Sequence, residues 1–313
     1  MSILYNSFKL YLGREIKVSA HPKMTAIIQV GDMQRELTTV RKHIYYLFVA
    51  SFFILFFLIT PATVSSQEPA SSPVRKNNSG ELSIDTDFDA IPGTYYYDVF
   101  LKGIRLGKAT ITVTKNDEEY TVQVTAKTRG IVKYLYKVKY RGEVAVTTNP
   151  LQPITAIIEE ESGIKKKTIH VNFPKPNKVT AVEFESKHGQ PPTRTENEFN
   201  SESFVLDPFS IVYLIRSLKW EVGTAEIFDV FTGKKQYEIQ LVCRGETVLD
   251  INGVKRRAWE IIPQTRTLTK PQELRMSGFV IYLSNDPLKE ILKITGHPKI
   301  GRIVVKVRKF SPM

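Results

Sequence analysis

Segments that alternate apolar and polar residues dominate the chain from Thr94 onward, and they constrain its fold more than any other feature. The stretch YLYKVKYRGEVAVTT, residues 134–148, shows this period of two clearly. Turn signals such as Asn252-Gly253 separate the segments and favour mainly antiparallel pairing. Because twist makes a wide sheet curl, we predict a mainly β fold, a strongly curved antiparallel sheet or half-barrel of about a dozen strands.

One segment, LDPFSIVYLIRSLKW at residues 206–220, departs from this pattern and predicts a helix over about 207–220. Asp207 suits the N-cap and Pro208 the first helical position. Apolar residues around Leu214 leave almost no polar face, so we expect the helix to be buried on the concave face of the sheet. Asp286 also precedes a proline, and we interpret it as a turn or capping residue.

Away from its two ends, the predicted helix carries one charged residue, Arg216, which lies among apolar residues. A buried guanidinium without partners costs several kcal/mol, so Arg216 requires a carboxylate, several carbonyl groups, or a position at the mouth of the cleft. Glu246 is a candidate partner. At the mouth, Arg216 would instead hold an anionic ligand.

Residues 41–66 have the features of an export signal. Arg41 and Lys42 precede an apolar run from Ile44 to Ile59, and small residues follow it. The segment is either a signal peptide cleaved before Gln67 or an uncleaved transmembrane helix, because it approaches the roughly 17–25 residues that span a bilayer. With either outcome the rest of the chain is exported, and it is periplasmic or anchored facing the periplasm.

Four segments divide the chain of 313 residues. We interpret residues 1–43 as a cytoplasmic extension or a mis-assigned start, residues 44–66 as the signal or anchor, residues 67–87 as a disordered linker, and residues 88–313 as a single β-rich exported domain. The part after residue 66 carries 37 basic and 29 acidic residues, a net charge of +8, so acidic partners would be attracted to it. The single cysteine excludes an intrachain disulfide.

Three blocks of the sequence resemble an exported bacterial family known as domain of unknown function 3108. They are DPFSIVYLIR (207–216), YEIQLVCRGETVLDINGVKRRAWEIIP (237–263) and GFVIYLSNDPLKEILKI (278–294). The resemblance runs from about Phe88 to Phe310, although Asn285 stands where the family often has Asp. It implies export and a β-rich fold, and it carries over no catalytic residue.

The search for catalytic chemistry returns no motif with an established mechanism. There is no G-x-S-x-G elbow and no phosphate-binding glycine loop, and the histidines after residue 66, His170, His188 and His297, lack metal-ligand spacing. We therefore predict no catalytic residue, no metal and no cofactor. Residues 159–161, three glutamates beside the lysines of 165–167, are interpreted as a hairpin tip with cross-strand charge pairing.

Basic residues alternate along one predicted strand and would share a face: Lys133, Lys137, Lys139 and Arg141. Such alternation is typical of a solvated face. The same face would also suit anionic lipid head groups or acidic envelope polymers. Lys137, Lys139, Arg141 and Arg216 are therefore the candidate ligand-binding residues, and nucleic acid is not an expected partner outside the cytoplasm.

Two functions from different classes remain open. The favoured one is a non-catalytic cell-envelope protein that binds a lipid-like or glycan ligand in the curved sheet or serves as a closed structural core. The alternative is a hydrolase acting on an envelope polymer, which would require two carboxylates, or a Ser and a His, to converge in a cleft.

Overall fold

The structure is a computed structural model that describes residues 89–313 apart from positions 117, 131–132, 134–136, 149, 188, 202–204, 234, 269–274, 277 and 299–300. The predicted cytoplasmic extension, export segment and linker therefore lie outside the described residues, as does His188. In the part of the chain that is described, no helix has the length and apolar character needed to cross a membrane.

The described residues form sixteen strands and a helix, α1, at Pro208–Ser217. The strands are β1 Gly93–Leu101, β2 Ile104–Lys115, β3 Glu119–Thr128, β4 Val138–Thr147, β5 Pro153–Ser162, β6 Lys165–Lys175, β7 Lys178–Lys187, β8 Thr193–Asn200, β9 Val205–Leu206, β10 Ala225–Phe231, β11 Gln236–Ile251, β12 Val254–Thr267, β13 Arg275–Met276, β14 Phe279–Ser284, β15 Ile291–Gly296 and β16 Ile303–Pro312.

All sixteen strands belong to one sheet with the order β8-β7-β6-β5-β4-β3-β2-β1-β16-β15-β14-β12-β11-β10-β9, and β13 pairs with β12. Strands β1 to β8 lie beside their sequence neighbours as an antiparallel meander. The last strand returns to the first, because β16 pairs antiparallel with β1 along the register from Leu101 opposite Ile303 to Gly93 opposite Pro312. Residues far apart in sequence therefore share one surface.

The mainly β prediction is confirmed, and its finer details require correction. The sheet has sixteen strands rather than about a dozen, and it is mixed, because β9 pairs parallel with β10. The predicted strong curvature, or half-barrel, is not borne out. A barrel closes when its end strands pair, whereas the ladder order ends at β8 on one side and at the two-residue β9 on the other.

The period-two pattern assigns opposite faces of the sheet to alternate residues. In β1, the buried residues Tyr95, Tyr97 and Val99 alternate with the more exposed Tyr96 and Asp98. Strand β4 repeats the pattern, with every second residue from Val138 to Val146 buried. The buried set faces α1, so the opposite set forms an outward face.

Helix α1 starts where its sequence predicts. The Oδ1 atom of Asp207 accepts hydrogen bonds from the backbone N–H groups of Phe209 at 2.8 Å and Ser210 at 3.2 Å, and Pro208 occupies the first helical position. Burial raises the pKa of the Asp207 carboxyl, and the hydrogen bonds from Ser210 and Phe209 oppose that rise. The helix is shorter than predicted, since Leu218 already has an extended backbone.

The buried side of α1 packs on strands near the middle of the meander. The rings of Phe209 and Tyr140 are 6.1 Å apart, and those of Tyr213 and Tyr120 are 4.9 Å apart. Gly142 on β4 permits this approach, because a Cβ atom there would lie 2.2 Å from Cζ of Phe209. The helix and the sheet therefore form one core, in which Leu214 is completely buried.

Replacing Leu214 by alanine is expected to lower the free energy of unfolding by about 2–5 kcal/mol, because the buried side chain leaves a cavity. Val212, which is only partly buried on the same helix, provides the matched control. Urea unfolding of Leu214→Ala and Val212→Ala measures both losses. Equal losses for the two variants would contradict the packing of α1 on the sheet.

Candidate functional site

The structure places Arg216 inside the molecule, against the turn that joins β14 to β15. Its Nε donates to the carbonyl of Lys289 at 2.9 Å, and its Nη2 donates to the carbonyl of Leu288 at 3.0 Å and to the hydroxyl of Tyr95 at 2.9 Å. The guanidinium carbon also lies 5.1 Å from the centre of the Tyr95 ring. Two carbonyls, a hydroxyl and an aromatic face therefore compensate the buried charge.

The contact between α1 and this turn is reciprocal. While Arg216 donates to backbone atoms of the turn, the Nζ atom of Lys289 donates to the carbonyl of Leu218 at 2.7 Å. That carbonyl follows the last turn of the helix, where a cation also complements the helix dipole. Burial lowers the pKa of the Lys289 ammonium group. We call residues 285–290 together with Arg216 and Leu218 the helix clamp.

A second arginine, Arg256 on β12, holds the same turn from the sheet. It forms ion pairs with the carboxylates of Asp286 and Glu290. Asp286 also shapes the turn, since its Oδ1 accepts from Ser284 Oγ at 2.9 Å and from the Leu288 N–H at 3.1 Å. Burial alone would raise the pKa of Asp286, but Arg256 and Ser284 lower it below its ordinary value.

The suggested pair between Arg216 and Glu246 is wrong. Glu246 lies on β11, where it forms an ion pair with Arg257 at 2.6 Å and accepts from Asn285 at 2.7 Å. Arg216 uses carbonyl groups instead, which was one of the options left open by the sequence. Because its side chain is only 5% exposed, it does not stand at the mouth of a cleft.

Of the four basic residues predicted on one strand, Lys139 and Arg141 share the face of β4 opposite α1, Lys137 directly precedes the strand, and Lys133 does not belong to it. Lys137 and Lys139 bind the two carboxylate oxygens of Glu161 at 2.9 and 3.2 Å, and Arg141 contacts Glu143 at 3.4 Å. The hydrogen bond from Lys137 lowers the pKa of Glu161. Partial desolvation opposes this effect, and Lys139 adds to it, so the pKa is lowered on balance. All three basic side chains remain about half exposed, so these contacts leave them accessible to a ligand.

The register of the sheet extends this basic face far beyond β4. Direct cross-strand neighbours on eight consecutive strands form one line across the outward face, which we call the lysine row: Lys293, Lys306, Asp98, Lys108, Lys127, Lys139, Glu161 and Lys166. At about 4.8 Å between strands, the row is about 34 Å long. It contains six lysines and two acidic residues.

Like charges are direct neighbours within the row. Lys127 stands opposite both Lys108 and Lys139, and Lys293 stands opposite Lys306. Partial desolvation, followed by the charges of nearby arginines, lowers the pKa of Lys108. Desolvation, Arg302 and Lys306 likewise lower the pKa of Lys293. Directly opposed like charges destabilise a sheet, so the three lysine pairs are local sites of repulsion that an anionic ligand would relieve, whereas Asp98 and Glu161 neutralise part of the charge elsewhere in the row.

Sequence reasoning found only Lys139 of the six lysines in this row. Lys108, Lys127 and Lys166 occupy the polar phase of alternating segments, which was a usable signal for their outward direction, whereas the segment around Lys293 does not alternate. Their alignment depends on the register of neighbouring strands and on the pairing of β16 with β1. A single sequence contains no signal for that pairing.

The described histidines do not assemble a site. His170 lies exposed on β6 with its ring against Phe184, and His297 follows β15 near the other side of the strand order. Among the residues that the structure describes, no group of three or more His, Cys, Asp or Glu side chains is arranged to hold a metal ion. Cys243 is buried, and burial raises the pKa of its thiol.

Comparison with known families identifies one match. The model of the family described as protein of unknown function, DUF3108, matches residues 96–308 of this chain. The predicted resemblance is thereby confirmed. No curated protein matches the chain.

Two solved structures are similar to this one at low sequence identity. A β-barrel-like protein of domain of unknown function DUF1849 from Brucella abortus has a TM-score of 0.49 and 10% identity, over 71% of this chain and 98% of that chain. A protein from Bacteroides fragilis, described as exported and as having a YmcC-like fold, has a TM-score of 0.25 and 5% identity, over 73% of this chain and 99% of that chain. At these TM-scores neither similarity defines the function of this chain.

Replacing Arg216 by alanine is expected to lower the free energy of unfolding by about 2–4 kcal/mol, because two buried carbonyls and a tyrosine hydroxyl lose their donor. Arg257 is the matched control, since it forms an exposed ion pair on the sheet, and Arg257→Ala should cost less than about 1 kcal/mol. Urea unfolding compares the two variants. If Arg216→Ala lost no more stability than Arg257→Ala, the helix clamp would not hold α1.

Proposed function

Since the chain belongs to the DUF3108 family of proteins of unknown function, we propose a role from its own geometry: a non-catalytic, exported envelope protein that binds an anionic envelope component through the lysine row. The observation that carries the proposal is the line of six lysines on eight adjacent strands. A row of this kind attracts a partner with repeated negative charges, such as acidic head groups or an acidic polymer.

Export is supported by the sequence at residues 41–66. A basic pair followed by sixteen residues that are apolar except for one serine is what the export machinery recognises. Whether that segment is removed decides between a soluble periplasmic protein and one anchored in the membrane. The ligand-binding face belongs to the exported domain in both cases.

A binding role is favoured over hydrolysis by what surrounds the titratable groups. Arg216 is engaged by the turn and by Tyr95, so it is a structural group rather than a ligand anchor. The glutamate run on β5 faces lysines, with Glu160 opposite Lys167 and Glu161 opposite Lys166. Ion pairs with Lys137 and Lys139 lower the pKa of the Glu161 carboxyl, which makes it a poor general acid.

The outward face is a better candidate for the ligand than the face that carries α1. Aromatic and aliphatic side chains of the helix occupy that inner face, and Phe209, Ile211, Leu214 and Ile215 are all buried there. The predicted lipid-like or glycan ligand within the sheet would have to displace them. On the outward face, Lys127, Lys139 and Lys166 are exposed without any rearrangement.

Binding to inorganic polyphosphate, a soluble polyanion, tests the proposal. The triple variant Lys127→Gln, Lys139→Gln, Lys166→Gln should weaken binding by about tenfold or more, and the affinity of the unaltered protein should fall as salt is raised. Fluorescence titration of the full chain provides both measurements.

The matched control removes three exposed lysines that do not belong to the row, through Lys175→Gln, Lys255→Gln and Lys309→Gln. Both triple variants change the net charge equally. If the two variants bound polyphosphate with the same affinity, net charge rather than the lysine row would explain the attraction, and the proposal would be overturned.

A further inference from the structure

Two turns at one end of the sheet carry exposed isoleucines. Ile104 begins β2 directly after the β1–β2 turn, and Ile164 lies in the β5–β6 turn. The ladders show that both turns lie at the same end, because Gly107 pairs with Thr128, Lys127 with Lys139, and Val138 with Ser162. Four strand intervals separate the β1–β2 turn from the β5–β6 turn, which corresponds to about 19 Å.

Both isoleucines stand in water at the surface of the free protein. Ile104 is 51% exposed and Ile164 is 69% exposed. Basic residues flank each of them in sequence, Lys102 and Arg105 around Ile104, and Lys165 and Lys166 after Ile164. Lys166 is itself the last member of the lysine row, and Lys108 of the row is four residues from Ile104. Aliphatic tips and basic row therefore form one continuous surface.

The opposite end of the sheet also carries an exposed aliphatic residue, but away from the lysine row. Strand β14 begins with Phe279, which pairs with Gly296 at the end that carries the two isoleucines. It finishes at Ser284, which pairs with Ala258 near the start of β12, so the β11–β12 turn lies at the opposite end. Val254 after this turn is 60% exposed, comparable with the two isoleucines. Lys255, Arg256 and Arg257 follow it in sequence, but both arginines are ion-paired with carboxylates, and none of the three belongs to the lysine row. Val254 therefore provides an internal comparison.

We infer that the anionic partner is a membrane surface, onto which the domain docks with the Ile104 and Ile164 tips in the interface and the lysine row against acidic lipid head groups. The inference rests on the proposed function and names the source of the negative charge. Aliphatic side chains next to basic groups are the combination that holds peripheral proteins at anionic bilayers.

A soluble polyanion explains only half of this surface. It offers charges to the lysines but no apolar phase to the isoleucines, so their exposure would remain unfavourable. A bilayer interface offers both, because acidic head groups lie directly above the acyl chains. The two tips also lie far enough apart to set the orientation of the sheet relative to the bilayer plane.

Depth-dependent fluorescence quenching tests the inference on the full chain reconstituted into vesicles. An environment-sensitive fluorophore is attached through Ile164→Cys or, as the matched control, Val254→Cys. The native Cys243 is buried and does not compete for the label. Vesicles contain brominated phosphatidylcholine either alone or mixed with phosphatidylglycerol.

The expected result is a blue shift and loss of fluorescence at position 164 in vesicles with phosphatidylglycerol, and neither change at position 254. Adding Lys127→Gln, Lys139→Gln and Lys166→Gln to the labelled Ile164→Cys chain should abolish both changes. In a separate measurement, Ile104→Ser with Ile164→Ser should leave polyphosphate binding unchanged.

Three outcomes would overturn the inference. Polyphosphate binding that depends on the row, without quenching at position 164, would leave the proposed function standing and assign the row to a soluble polymer. Quenching that is equal with and without phosphatidylglycerol would show that the acidic lipid is not recognised. If neither polyphosphate binding nor quenching changed when the three row lysines were replaced, the proposed function would be overturned as well.

Discussion

The rest of the structure depends on how one short helix is fixed to the sheet. Arg216 donates to the carbonyls of Leu288 and Lys289, and Lys289 donates in return to the carbonyl of Leu218. Arg256 anchors the same turn from β12 through two carboxylates. The buried guanidinium of Arg216 is tolerated because it donates to the two carbonyls and to the hydroxyl of Tyr95, whose ring it also contacts. The clamp therefore links α1, β12 and the β14–β15 turn into one unit.

Where α1 packs on the sheet, it covers one face of the strands and leaves the other face to solvent. Residues such as Tyr95 and Tyr140 are directed to the helix, and the alternating positions, including Asp98 and Lys139, face outward. Since neighbouring strands are paired in register, outward residues from distant parts of the sequence align in a row. The inner face supplies stability, while the outer face carries the aligned charged side chains from which we propose a binding function.

The sequence was sufficient for the local features and insufficient for the long-range ones. Period-two alternation predicted strands and their polar phase, and Asp207-Pro208 predicted where the helix begins, because these signals depend on residues close in the chain. The sequence left carbonyl groups open as partners of Arg216, but it could not identify those of Leu288 and Lys289, because backbone carbonyls leave no mark in a sequence. The lysine row was missed because it requires the registers of eight strands, including the pairing of β16 with β1, and the expected curvature failed because a strand count does not set how strongly a sheet curls.

A double-mutant cycle between the two donors of the clamp tests the central claim most directly. Arg216→Met removes the donor on α1, Lys289→Met removes the donor on the turn, and the double variant removes both. The free energy of unfolding in urea is measured for these three variants and the unaltered protein. If α1 and the turn hold each other reciprocally, the double variant should differ from the sum of the single losses by about 1 kcal/mol or more. Strictly additive losses would contradict the claim, because they would mean that the two hydrogen-bonded contacts stabilise the fold independently.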